Sequence, residues 1–214
     1  MSKPVSLQII VAFIIAFFSA MSSSFAQDNI AFIRGDLNNS RLVFEKTKHG
    51  AVAFIGGSIT AGYGWRDMTC EILKKHYPET EFSFVNAGVG GTNSTFGAFR
   101  FDSDVLSNGK IDLLFLEFAV NDDGGSSPDN RSARAMEGII RHARKANPNI
   151  DIVMLYFADQ GKVESYRSGK TPDVIAEHDR IAEHYGISSL HLAREVVRLL
   201  DAGDIKWEEF SRDS

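Results

Sequence analysis

The sequence predicts an α/β fold: an open, mostly parallel sheet with helices on both faces. Short apolar runs alternate with stretches of helical period, and the runs stop abruptly at Gly, Asn and Asp. No internal repeat or low-complexity linker interrupts the 214 residues, so one domain is expected. Runs that are apolar on successive positions read as strands buried on both faces, as in parallel sheets. Ligands of such sheets bind outside the carboxyl ends of the strands.

Residues 1–26 read as a signal peptide. Lys3 supplies the positive start, residues 9–18 are apolar, and Ser24-Phe25-Ala26 fits a small-x-small cleavage site. A spanning helix needs about 20 apolar residues, so export to a periplasm or the outside is expected, with no stable membrane insertion after removal of the signal. Residues 27–50 form an N-terminal segment in which Arg41-Leu42-Val43-Phe44 offers a peripheral strand. The domain proper is residues 51–214.

Five strands are expected in that domain. Residues 51–55 stop at Gly56-Gly57, residues 82–85 at Asn86-Ala87-Gly88, and residues 111–120 at Asn121-Asp122-Asp123-Gly124-Gly125. Residues 150–157 and 187–190 supply the fourth and fifth. Helices are expected over residues 65–76, with Met68, Ile72 and Leu73 on one side, and over 132–146 behind a Ser-Pro-Asp start. A third opens at Thr171-Pro172-Asp173 and ends at Gly186. The last, residues 191–202, carries Leu192, Val196, Leu199 and Leu200 at helical spacing and stops at Gly203.

Composition narrows the function classes. With 43% hydrophobic and 24% charged residues the chain is an ordinary globular protein. Its 23 Lys and Arg against 28 Asp and Glu give a net charge of −5, the opposite of a general nucleic-acid binder. A single cysteine, Cys70, excludes an internal disulfide framework and a zinc site of several thiolates; it reads as a buried thiol in a helix.

Three strand ends carry polar, glycine-rich chemistry: those after Ile55, Val85 and Val120. Phosphate binding fails on the residues. Gly57-x4-Gly62 has P-loop spacing, but Tyr63-Gly64 stands where Lys-Ser/Thr is required. Gly88-Val89-Gly90-Gly91 lacks the third glycine of a dinucleotide fingerprint. Ser58, after a buried strand and a Gly-Gly turn, reads as an exposed nucleophile or as a simple helix cap. It lacks the G-x-S-x-G elbow, because Thr60 occupies the last position. Asn121, Asp122, Asp123 and Asp129 could hold calcium, but polar loop residues are the simpler reading.

Taken together, Gly56-Gly57-Ser58-Ile59-Thr60, Asn86-Ala87-Gly88-Val89-Gly90-Gly91-Thr92 and Ala119-Val120-Asn121-Asp122 resemble the SGNH (GDSL-type) hydrolase superfamily. The resemblance implies a flavodoxin-like three-layer α/β/α sandwich with a mostly parallel five-stranded sheet. It implies that Ser58 is the nucleophile. The Ser58 and Gly91 backbone N–H groups and the Asn121 amide then form the oxyanion hole. Preorganised donors aimed at the developing charge typically contribute about 3 kcal/mol each, and a glycine at 91 lets backbone approach closely. An asparagine at 121 stays a neutral donor at every pH.

The blocks depart from the common pattern. Gly57 stands where the common form has Asp, and Ala119 stands two residues before the asparagine where glycine is usual. The last block of the family is Asp-x-x-His, and Asp213 matches its aspartate, so the general-base histidine is expected two residues past Ser214 and the chain is expected to be truncated or impaired. His191, after the fifth strand, is the internal understudy, with a structural role favoured.

The expectation is an exported serine esterase that cleaves a carboxylic ester, with O-acetyl groups on carbohydrate as the leading substrate, through an acyl-enzyme. No cofactor and no metal are needed, and the expected partner is a small-molecule or carbohydrate ester rather than nucleic acid. The alternatives are a non-catalytic carbohydrate- or ligand-binding protein, and a lipase or thioesterase of the same fold.

Overall fold

A computed structural model describes residues 30–122 and 129–210. The chain runs β1 (Ala31–Phe32), α1 (Asn38–Thr47), β2 (His49–Gly56), α2 (Ser58–Ala61), α3 (Trp65–His76), β3 (Glu81–Gly88) and α4 (Ser94–Asp104). After a 3-10 turn at Leu106–Asn108 follow β4 (Leu113–Glu117), α5 (Arg131–Ala146), β5 (Asp151–Leu155), α6 (Gln160–Arg167), α7 (Asp173–His184), β6 (Ser188–Leu190), α8 (Leu192–Ala202) and α9 (Trp207–Phe210). The sheet order is β1-β6-β5-β4-β2-β3, parallel throughout except for the antiparallel pair β1–β6.

This is the expected three-layer sandwich, with six strands rather than five. The added strand is the short edge β1, whose Ala31 pairs with Leu190. Arg41-Leu42-Val43-Phe44, expected as the peripheral strand, is helical instead. Ser40 and Phe44 are its buried residues, four apart, which is a helical spacing.

Side chains of the central strands alternate between two cores. Ala53, Ile55, Leu114, Leu116, Ile152 and Met154 pack with residues of α4, α5, α7 and α8. Val52, Phe54, Leu113, Phe115, Val153 and Leu155 pack on the other face with Phe44 of α1 and Trp65, Cys70 and Leu73 of α3. The rings of Phe54 and Phe115 stack at 5.0 Å, with Trp65 edge-on to Phe54. Cys70 is buried in α3, and burial pushes its thiol up to about 11, so it is not a nucleophile at neutral pH.

Strand β3 corrects the expectation of two-sided burial. It is the sheet edge, and Glu81, Ser83 and Asn86 along it are exposed. The strand expected over residues 111–120 is shorter, because the chain turns after Glu117: Asn121 N–H and Asp122 N–H both donate to Phe118 C=O at 3.0 Å. No helix among the described residues is long and apolar enough to cross a membrane.

This strand order fixes where a ligand can enter. β2 pairs with β3 on one side and β4 on the other, so the connections leaving β2 and β4 diverge and open a crevice at their carboxyl ends. Ser58 and Asn121 stand at that switch point.

Candidate active site

The nucleophile turn follows from β2. After Gly56 the chain makes one helical turn, α2, closed by Ala61 N–H to Gly57 C=O (3.0 Å) and Gly62 N–H to Ser58 C=O (2.9 Å). Ser58 is its first residue and is exposed, whereas the strand before it is buried. Arg66 braces the turn from α3, donating through Nε to Thr60 C=O at 3.3 Å.

Gly57 and Gly88, flanking the Ser58 turn, are set by close approach. A β-carbon on Gly57 would lie 2.3 Å from Asn121 Oδ1 and 3.3 Å from Thr92 O. One on Gly88 would lie 2.3 Å from Ala61 N, and one on Gly90 would lie 3.9 Å from Ser58 Cβ. The second and third blocks therefore close on the first: the Gly90-Gly91 loop stands beside Ser58, and the Asn121 side chain packs on Gly57. Around Gly91 the chain leaves open space. A β-carbon there would meet nothing within 4 Å, and the glycine is needed because its φ is +72°.

The loops are tied from below. Arg100 of α4 donates from its two terminal nitrogens to Ala87 C=O (2.6 Å) and Gly56 C=O (3.2 Å), joining the ends of β3 and β2. Asp122 accepts from Ser94 N–H at 2.8 Å and pairs with His178 Nε2 at 3.0 Å in a fully buried contact. Asp122 is therefore engaged by protein groups. Among the described residues no group of three His, Cys, Asp or Glu side chains could hold a metal ion. Asp123, also part of the calcium reading, lies outside the described residues.

The sequence reading passed over Glu117, the last residue of β4, because it sits inside an apolar run. Its carboxyl is buried and accepts from Thr60 Oγ1 at 3.2 Å. Burial pushes it up to about 7, opposed by the Thr60 hydroxyl and by the peptide N–H groups of Gly57 and Val120. The legible signal was an acidic residue amid apolar ones at a strand end beside the asparagine block.

Among the described residues no histidine bonds Ser58. His191 is 2% exposed, its Nε2 3.2 Å from Asp179 Oδ1, its ring packed between Phe32 and Tyr156. Asp179 also accepts from Arg34 (2.7 Å) and Ser189 (2.7 Å). Burial opposes ionisation of Asp179, but bonds from His191, Arg34 and Ser189 hold it well below the usual carboxylate range. Burial lowers His191 in turn, against the pull of Asp179. His191 is thus structural. His49 begins β2, at the opposite end of that strand from Ser58. Asp213 lies outside the described residues, as do residues 1–29.

A family model described as the GDSL-like lipase/acylhydrolase family matches residues 54–213. The structure is similar to that of a two-domain esterase active on acetylated mannans: 28% identity and a TM-score of 0.73, over 86% of this chain and 49% of that one. The same esterase co-crystallised with mannopentaose gives 29% and 0.72, over 86% and 50%. The chain spans about half the length of these two structures. The fold is shared with a catalytic mutant of an acetylxylan esterase from Geobacillus stearothermophilus, at 19% identity and a TM-score of 0.60 over 76% of this chain and 86% of that one. No match was found among the curated proteins.

Proposed function

The chain belongs to the GDSL-like lipase/acylhydrolase family, and from that premise we propose that it is an exported serine esterase removing acetyl groups from carbohydrate. The observation that carries this reading is the packing at the switch point: Asn121 on Gly57 and Gly90 beside Ser58, with Ser58 itself exposed. Likeness to an esterase active on acetylated mannans supports the substrate class. The pattern of Lys3, the apolar residues 9–18 and Ser24-Phe25-Ala26 supports export.

In this mechanism Ser58 Oγ attacks the ester carbonyl. The oxyanion that forms is held by the N–H groups of Ser58 and Gly91 and by the Asn121 amide, whose Oδ1 packs against Gly57. A histidine oriented by Asp213 takes the Ser58 proton and returns it to the departing alcohol. Water, activated by the same histidine, then cleaves the acyl-serine and releases the acid. Gly91 contributes through its φ of +72°, which presents backbone where an ordinary residue is strained.

The test is acetate release from an acetylated mannan by the full-length protein and its Ser58→Ala variant. Release that depends on Ser58 is expected. Mannan binding without release would mark a non-catalytic binding protein, and a preference for long-chain esters would mark a lipase.

A further inference from the structure

Glu117 is a buried carboxyl that the acyl-transfer chemistry does not use, yet it lies directly beneath the nucleophile turn. Gly56, its partner across the β2–β4 ladder, has no room for a side chain: a β-carbon there would sit 2.3 Å from Thr60 Oγ1, 2.6 Å from Glu117 O and 2.9 Å from Glu117 Oε2. The space a residue at 56 would fill is taken by the Thr60–Glu117 hydrogen bond of 3.2 Å. Thr60 is itself fully buried, two residues after Ser58 on the single turn α2.

Resting on the reading of Ser58 as the nucleophile, the geometry points to Glu117 as a positioning residue that fixes the Ser58 turn through the Thr60 hydroxyl. α2 is one turn long and holds little stability of its own, so its placement depends on struts to the sheet. Two reach Thr60: Arg66 Nε on its C=O, and Glu117 on its hydroxyl. A buried carboxyl is a costly strut where a neutral amide or an apolar side chain would be cheaper. That cost at the mouth of the sheet is characteristic of groups retained for activity rather than stability.

Asp122, from the turn after β4, disfavours ionisation of Glu117 and is itself paired with His178. From α4, Arg100 reaches Gly56 C=O, one strand away. The peptide N–H groups of Gly57 and Val120 favour the ionised form. Ionisation strengthens the bond from Thr60, since hydrogen bonds to charged acceptors are the stronger ones, so the turn tightens as pH rises through neutrality.

The experiment uses the full-length protein with p-nitrophenyl acetate, recording kcat, KM and the thermal melt for Thr60→Val, Thr60→Ser, Glu117→Gln and Ser58→Ala. Thr60→Val is expected to lower kcat by about tenfold with KM within about twofold, the loss of one hydrogen bond to a charged group. Thr60→Ser should restore most of it. Glu117→Gln keeps an acceptor but cannot ionise, so it should lose part of the rise in kcat between about pH 6 and pH 8. Thr60→Val with wild-type kcat, or a Glu117→Gln profile that superimposes on wild type, overturns the inference. If Thr60→Val does not fold, the Glu117→Gln profile decides alone. Turnover that survives Ser58→Ala would instead overturn the nucleophile itself, a separate failure.

Discussion

The Asn121 side chain rests on the backbone of Gly57, so closely that a β-carbon at position 57 would lie 2.3 Å from Asn121 Oδ1. The Asn121 amide and the Ser58 turn are therefore positioned by one contact. The same contact leaves no room for a side chain at 57, where the family's common form carries Asp. Gly57→Ala must push Asn121 aside or tilt the turn, and a displacement of about 1 Å at a reacting centre can cost about 10²-fold. We expect a kcat loss of that order with a small change in the melt. Gly57→Asp should fare no better. Steady-state kinetics on p-nitrophenyl acetate beside a thermal melt check both variants.

Asn121→Ala should lower kcat by about 10²–10³-fold while leaving KM nearly unchanged, the signature of a donor used only when charge develops. Asn121→Asp should be as poor, because it places a carboxylate where an oxyanion forms. A KM effect without a kcat effect would move Asn121 from the oxyanion hole to ground-state binding.

Glu117 makes stability depend on pH. Its carboxyl stands at about 7 in the folded chain against an ordinary 4.5, chiefly through burial. Between those values the folded protein keeps a proton that the unfolded chain has released. Stability therefore falls as pH rises through that window and levels off above it. Glu117→Gln should remove the slope and stabilise the protein at about pH 8 by up to roughly 3 kcal/mol. Urea titrations at several pH values read this directly, and equal stabilities near pH 8 would contradict it.

His191→Ala should destabilise the protein without changing its chemistry. It removes a ring packed between Phe32 and Tyr156 and takes one partner from Asp179. The expected loss is about 2 kcal/mol or more, with kcat within about twofold of wild type. A collapse of kcat in a folded variant would make His191 part of the catalytic machinery.

Strands and the switch point were legible because β2, β4 and β5 are apolar on both faces and end at Gly, Asn or polar turns. Ser58 and Asn121 could be proposed as site residues because each follows such an end, and Gly91 because it follows the glycine-rich end of β3. Four features were not legible, each for a tertiary reason. The helix Asn38–Thr47 holds a string of strand-like side chains at 42–44 whose burial follows Ser40 and Phe44 instead. Edge strand β3 reads as two-sided because Phe82, Phe84 and Val85 are large, though Glu81, Ser83 and Asn86 are exposed. Glu117 finds its partner Thr60 57 positions away, across a ladder that no local pattern announces. Likewise Asp122 and His178 are 56 apart in sequence and meet only when α7 packs on the sheet.

The most direct measurement of the central claim is mass spectrometry of the full-length protein, quenched with acid shortly after mixing with p-nitrophenyl acetate and then digested. The expected result is one added acetyl group on the peptide containing Ser58, absent from the Ser58→Ala variant. An acetyl group on any other residue during turnover, or turnover with no covalent adduct in wild type and undiminished rate in Ser58→Ala, would contradict it.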